Sequence, residues 1–237
     1  RHLGLVQAME TPGLSELIDR LADALERAVS PETLLAPWAP PKLPQEPPMR
    51  PPARRISLAE DAAFSFAYPH LLSAWADRGA EIKRFSPLAD EPAPEADLIF
   101  LPGGYPELHA PRLAEAKRFL ESLRRAPEQT QIYGECGGYM VLGDALICSE
   151  GGRHTMAGLL SLTTSFAAPK LHLGYRSLVA QGGPFEGSWR GHEFHYSQAL
   201  EEHGSPLFTA WDADDRPLAP MGLLAGRLAA AEMRGER

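Results

Sequence analysis

The 237-residue sequence has only two cysteines, Cys136 and Cys148, too few for a disulfide framework. It has no basic excess. Lys and Arg number 23 against 31 Asp and Glu, a net charge of −8, which argues against a nucleic-acid footprint and leaves small molecules open. No apolar run approaches the length of a membrane span. No internal repeat is visible. The N-terminal residues do not read as a signal peptide, so the thiols are expected in a reducing, cytoplasmic setting. No Gly-x-x-x-x-Gly-Lys-[Ser/Thr] phosphate loop occurs. The first residue is Arg1, so a piece of a longer chain is expected.

What is present is 44% hydrophobic residues, enough for a substantial core. Leu14, Leu17, Ile18, Leu21, Leu25, Ala28 and Val29 recur at helical spacing, which predicts an amphipathic helix over 14–29. Thr11-Pro12 suits its start. Ser30-Pro31-Glu32 ends it and opens a short helix through Leu35. Residues 36–52 hold eight prolines and read as an extended linker or a loop packed on a domain surface.

From residue 54 the texture changes. Strands are predicted at 54–60, 81–88, 96–104 and 131–138, and helices at 69–80, 110–126 and from 139 onward. Further strands fall near 171–180 and 190–198. Short connections between alternating strands and helices predict an α/β domain, doubly wound, with a mostly parallel sheet and helices on both faces. The boundaries are expected at 1–53 for the helical and proline-rich segment and 54–237 for the α/β domain.

In such a sheet, ligands bind beyond the carboxyl ends of the strands. Two glycine turns land there, Pro102-Gly103-Gly104 and Glu135-Cys136-Gly137-Gly138. The second has the pattern of a nucleophile elbow, in which a tight turn lifts a side chain into the cleft. The following helix start favours a thiolate. The N–H of Gly137 and those of Gly103 and Gly104 are candidates for an oxyanion hole. Cys148 reads as a small buried hydrophobe. In Gly191-His192-Glu193-Phe194-His195, a spacing of three puts His192 and His195 on opposite faces of a strand. No further ligand pattern supports a metal, and none is expected. His192, Glu193 and His195 read as a polar wall of a ligand site or as surface hydrogen-bonding groups, and the segment 172–176 could add to that wall. Phe64 and Tyr68 follow the first strand, where they either face a ligand or pack a core.

Taken in order, "RHLGLVQAME", "FSFAYPHLL", "FSPLADE", "LPGGYPEL", "YGECGGYMVLG" and "GHEFHYS" closely resemble the cobyrinic and hydrogenobyrinic acid a,c-diamide synthases, up to about residue 226. The resemblance implies a class I-type glutamine amidotransferase domain that draws ammonia from glutamine through a thioester on Cys136. It implies amidation of the corrin a and c side chains of hydrogenobyrinic or cobyrinic acid, a step of cobalamin biosynthesis. ATP and Mg²⁺ would belong to a missing N-terminal ATP-binding half, which residues 1–53 would adjoin, and this chain itself would carry no cofactor. A homodimer through helix 14–29 is a further expectation. The resemblance also implies a C-terminal histidine as acid–base. That position falls on Arg234 here, which points to a slow or inactive glutaminase, or to a non-catalytic corrinoid- or partner-binding module of the same fold.

Overall fold

A computed structural model describes residues 8, 11–36, 49–128 and 130–236, without the side chains of residues 35, 127 and 233–236. Two units separate, residues 1–47 and 48–237. In the first, helix α1 (Leu14–Ala28) is followed by α2 (Pro31–Leu35), whose start is capped by the Ser30 hydroxyl accepting from the Thr33 N–H. The turn into α1 runs through Gly13 at φ 65°. None of the α1 side chains is buried. Most of the expected linker, residues 37–48, lies outside the described residues.

The second unit opens with β1 (Arg55–Ala59), α3 (Pro69–Ala76), β2 (Glu81–Phe85) and β3 (Leu98–Leu101). Next come α4 (Ala110–Glu115), α5 (Lys117–Arg125), β4 (Gln131–Glu135) and α6 (Gly137–Leu142). The single helix expected over 110–126 is broken at Ala116, whose ψ is 71°. There the Asp90 carboxylate accepts from the Phe119 N–H at 2.9 Å, satisfying an amide of the new first turn. The remainder is all strand: β5 (Ala145–Ile147), β6 (Arg153–Thr155), β7 (Ser161–Ser165), β8 (His172–Ala180), β9 (Gly187–His195), β10 (Gln198–His203), β11 (Ser205–Trp211), β12 (Met221–Ala225), β13 (Leu228–Ala231) and β14 (Met233–Glu236).

The α/β class holds, and the sheet is mixed. Its ten strands run β14-β9-β8-β11-β12-β13-β4-β3-β1-β2. The β2-β1-β3-β4 run is parallel, as the alternation of strand and helix predicts, and β13, which was not expected, adds to it parallel to β4. The other half is antiparallel, with neighbours such as β8 and β9 or β12 and β13 joined by short connections. A second sheet has the order β10-β7-β5-β6.

β3 is buried along its whole length, and β1 from its second residue on. Ile56, Leu58, Leu98 and Phe100 pack with Leu72 and Trp75 of α3 on one face. Ala59, Ile99 and Leu101 pack with Leu113, Phe119, Leu123 and Val141 of α4, α5 and α6 on the other. Each such fully buried Leu or Phe contributes about 1.5–3 kcal/mol. This double burial fixes the C-terminal ends of β1, β3, β4 and β13 in one row, and the site stands there.

Candidate active site at the Cys136 elbow

β4 ends at Glu135, and the chain turns sharply at Cys136, with φ 51° and ψ −109°, before α6 begins at Gly137. A positive φ at a non-glycine residue is a strained conformation, held only where the surroundings over-determine it. Here they do. The Cys136 N–H donates to the Ala231 carbonyl at 2.8 Å, and a Cβ on Gly138 would lie 2.0 Å from the Leu101 carbonyl oxygen. The elbow expected from the sequence is therefore present, with Cys136 half-buried at its apex.

The two glycine turns meet. A Cβ on Gly137 would come within 3.2 Å of the Gly104 nitrogen, and one on Gly104 would lie 2.0 Å from the Ala63 carbonyl oxygen. The Gly103 carbonyl accepts from the Phe66 N–H at 3.0 Å, tying its turn to the loop after β1. Glu107, just beyond, is buried, and burial pushes its carboxyl up to about 7.

Beside the elbow lies an open cleft of about 340 Å³. Its wall includes Tyr139, one turn of α6 past Cys136, with Lys170, His172, Glu193, His195 and Glu232. Cys136 is not among the side chains lining it. Alternation along β9 buries Glu193 and His195 together, as the spacing predicts, and leaves His192 half-buried on the other face, opposite Tyr175 and Arg234. Antiparallel pairing then sets His172 of β8 directly across from His195, and the two rings stack at 4.7 Å between centroids.

The polar groups of this wall are tightly paired. Glu193 Oε1 faces His195 Nε2 at 3.0 Å, and Glu193 Oε2 accepts from Arg176 at 2.5 and 3.1 Å. On the far side of the ring, His195 Nδ1 lies 3.1 Å from Ser197 Oγ and 3.3 Å from Glu232 Oε2. Burial alone would push the His195 imidazole down, yet the hydrogen bond with Glu193 and the charges of Glu232 and Glu193 hold it above its ordinary value. Burial would push Glu193 up, but the hydrogen bond and charge of His195, with Arg176, keep it low. Burial raises Glu232 in spite of His195. His172 is pushed down by burial and by the charge of His195.

Two candidates take other places. Phe64 is fully buried and packs edge-on to Phe119 at 6.3 Å, so it serves the core rather than a ligand wall, because the chain turns inward at Ala63 to meet Gly104 and Tyr105. Tyr68 lines a separate small hollow with Trp75, Tyr133 and Glu135, too narrow for a macrocycle. Arg176 and His172 come from the segment 172–176 that was expected to add to the wall, whereas Glu232 and Ser197 were not singled out in the sequence. The one available signal for Glu232 is a lone acid closing the alanine run 229–231.

Residues 55–224 match the profile of the CobB/CobQ-like glutamine amidotransferase domain. The chain belongs to that family. Members of the CobB/CobQ-like group with high identity include the hydrogenobyrinate a,c-diamide synthase of Rhodobacter capsulatus, 50% identical over 96% of this chain and 54% of the relative. The enzyme of the same name from Brucella abortus is 47% identical over 98% of this chain and 55% of the relative. The chain thus spans about half the length of the curated relatives it matches. A crystal structure of a glutamine amidotransferase superimposes with a TM-score of 0.53 at 16% identity, covering 76% of this chain and 89% of the other. A glutamine amidotransferase from Thermotoga maritima gives 0.51 at 14% identity, covering 76% and 75%. These two likenesses speak for the fold of this CobB/CobQ-like domain. No helix among the described residues is long and apolar enough to cross a membrane.

Proposed function

We propose that this chain is the glutaminase part of a hydrogenobyrinate or cobyrinate a,c-diamide synthase, with Cys136 as its nucleophile. The observation that carries the reading is the strained elbow at Cys136, with φ 51°, in a member of an amidotransferase family. The Cys136 thiolate attacks the side-chain amide carbon of glutamine. A C–S bond forms, and the oxygen takes the negative charge within reach of the Gly137 and Gly104 N–H groups, with Gly103 shaping that turn. The C–N bond then breaks, and its nitrogen takes a proton and leaves as ammonia. Water releases glutamate and restores the thiol.

Proton delivery is the weak step. By the resemblance, the acid–base histidine of the family would fall on Arg234, and a guanidinium does not deprotonate near neutral pH. His195 does not readily replace it, because both its ring nitrogens are already engaged, by Glu193 and by Ser197 and Glu232. His192 stands on the opposite face of β9. Hydrolysis is therefore slow in this chain. Activation of the corrin carboxylates by ATP and Mg²⁺ belongs to the companion half, since no phosphate loop is present here. The Glu193 and His195 wall, with Lys170 at the cleft, suits a substrate bearing carboxylates or an amino-acid zwitterion. The same engagement of His195 favours a second reading, a corrinoid- or partner-binding module that has kept the fold and lost turnover.

Acid-quenched incubation with glutamine, followed by peptide mass spectrometry, tests the first reading. A glutamyl adduct on the Cys136 peptide is expected. An unmodified Cys136 at every time point, with the wild-type fold intact, points to the binding module.

A further inference from the structure

We propose that His172, Glu193 and His195 form a binding site for one divalent transition metal ion of the zinc class, separate from the Cys136 thiol. One ligand atom from each of His172, Glu193 and His195 lies within 4.8 Å of the other two. Two imidazoles and one carboxylate are a donor set that suits Zn²⁺, Co²⁺ or Ni²⁺. Ligand bonds of about 2.0–2.2 Å place donor atoms roughly 3–3.5 Å apart around one ion. Glu193 Oε1 and His195 Nε2 are already 3.0 Å apart, and His172 Nδ1 is 3.9 Å from the same oxygen. His172 has a third of its side chain exposed, so its ring is able to leave the stack on His195 and turn toward the ion.

The surroundings are those of a built site. A metal-ligating histidine generally gives its other ring nitrogen to a carboxylate or carbonyl, which fixes the ring. His195 Nδ1 does this, with the Ser197 carbonyl oxygen at 3.2 Å and Glu232 Oε2 at 3.3 Å. The second oxygen of Glu193 is held by Arg176, which fixes the carboxylate and leaves Oε1 for the ion. Strand pairing supplies the rigidity, since Glu193 and His195 share a face of β9 and His172 stands opposite His195 on β8. Three ligands leave at least one position toward the open cleft, where a water or a substrate carboxylate completes the shell.

The test uses the whole chain with Cys136→Ser and Cys148→Ser, so that no thiol competes. Zn²⁺ is titrated against a chromophoric chelator, and Co²⁺ is followed by visible absorption. One equivalent is expected. H172A, at a partly exposed position, should bind at least about a hundredfold more weakly, and E232Q about 10–100-fold more weakly. Nitrogen NMR should show His172 Nδ1 and His195 Nε2 shifting together with Zn²⁺. This last readout needs no variant at a buried position. Affinity unchanged in H172A, or Zn²⁺ that leaves both ring nitrogens unshifted, overturns the proposal.

Discussion

The Cys136 N–H is held by the Ala231 carbonyl at 2.8 Å, which ties the turn after β4 to the end of β13. Since Ala231 stands beside Glu135 in a parallel pair, the thiol is presented at the open end of the sheet by two strands at once. An electrophilic glutamine analogue should therefore label Cys136 well ahead of Cys148, which sits past the end of β5 with no elbow. Peptide mass spectrometry over a time course reads both. Equal rates at the two cysteines would contradict the assignment.

The close approach of α6 to β3 gives a second expectation. An added Cβ at Gly138 meets the Leu101 carbonyl oxygen at 2.0 Å, and backbone cannot yield as a side chain can. Gly138→Ala should cost about 3 kcal/mol or more. Gly151→Ala, at φ 83° with open space around it, should cost only about 1 kcal/mol. Urea unfolding measures both, and equal losses would show that the contact is relaxed.

Glu107 makes stability depend on pH. Its folded pKa of about 7 stands above the ordinary 4.5, so between these values the folded state binds more protons than the unfolded one. The contribution is fully present below about pH 4.5 and is lost as pH rises through 7. Glu107→Gln removes this dependence. Relative to wild type, the variant should gain about 2 kcal/mol on going from pH 5 to pH 8, at about 1.4 kcal/mol per pKa unit and allowing for partial exposure. Parallel stability profiles for the two proteins would refute it.

Helix α1 carries its apolar stripe in the open, with Ile18, Leu21 and Leu25 each more than half exposed. A helix held by so little packing exchanges its amides quickly. Amide exchange over 14–28 should be far faster than over β3 and β4. Above micromolar concentration, sedimentation should show self-association that Leu21→Lys abolishes. Protection of α1 equal to that of the central strands in a proven monomer would count against this.

In the parallel half β3 and β4 were legible because each is a short apolar run closed by a glycine turn, and β1 and β2 because they alternate with α3, while β13 carries no such signal. In the antiparallel half β8 and β9 answer to the strands expected near 171–180 and 190–198. In the second sheet β10, nearly all exposed, carries too little apolar signal to mark its ends. At the site, Cys136 was legible from Gly134, Gly137 and Gly138, since few other roles need those glycines around a thiol. The His192 and His195 faces followed from strand periodicity. The pairing of His172 with His195, and the arrival of Glu232 beside the ring, depend on β8–β9 and β13–β4 register, which no local pattern encodes. Phe64 was ambiguous for the same reason, because only the fold shows that Phe119 covers it.

Ammonia release from glutamine by the chain, compared with Cys136→Ser, tests the central claim that Cys136 carries out the attack and that Arg234 cannot serve as its acid–base. Loss of a positioned acid–base costs about 10²–10⁴-fold. A slow rate is expected, well below that of a complete amidotransferase, falling to background in Cys136→Ser. Turnover that survives in Cys136→Ser would contradict the nucleophile, and brisk turnover that disappears in it would contradict the slow proton delivery ascribed to Arg234.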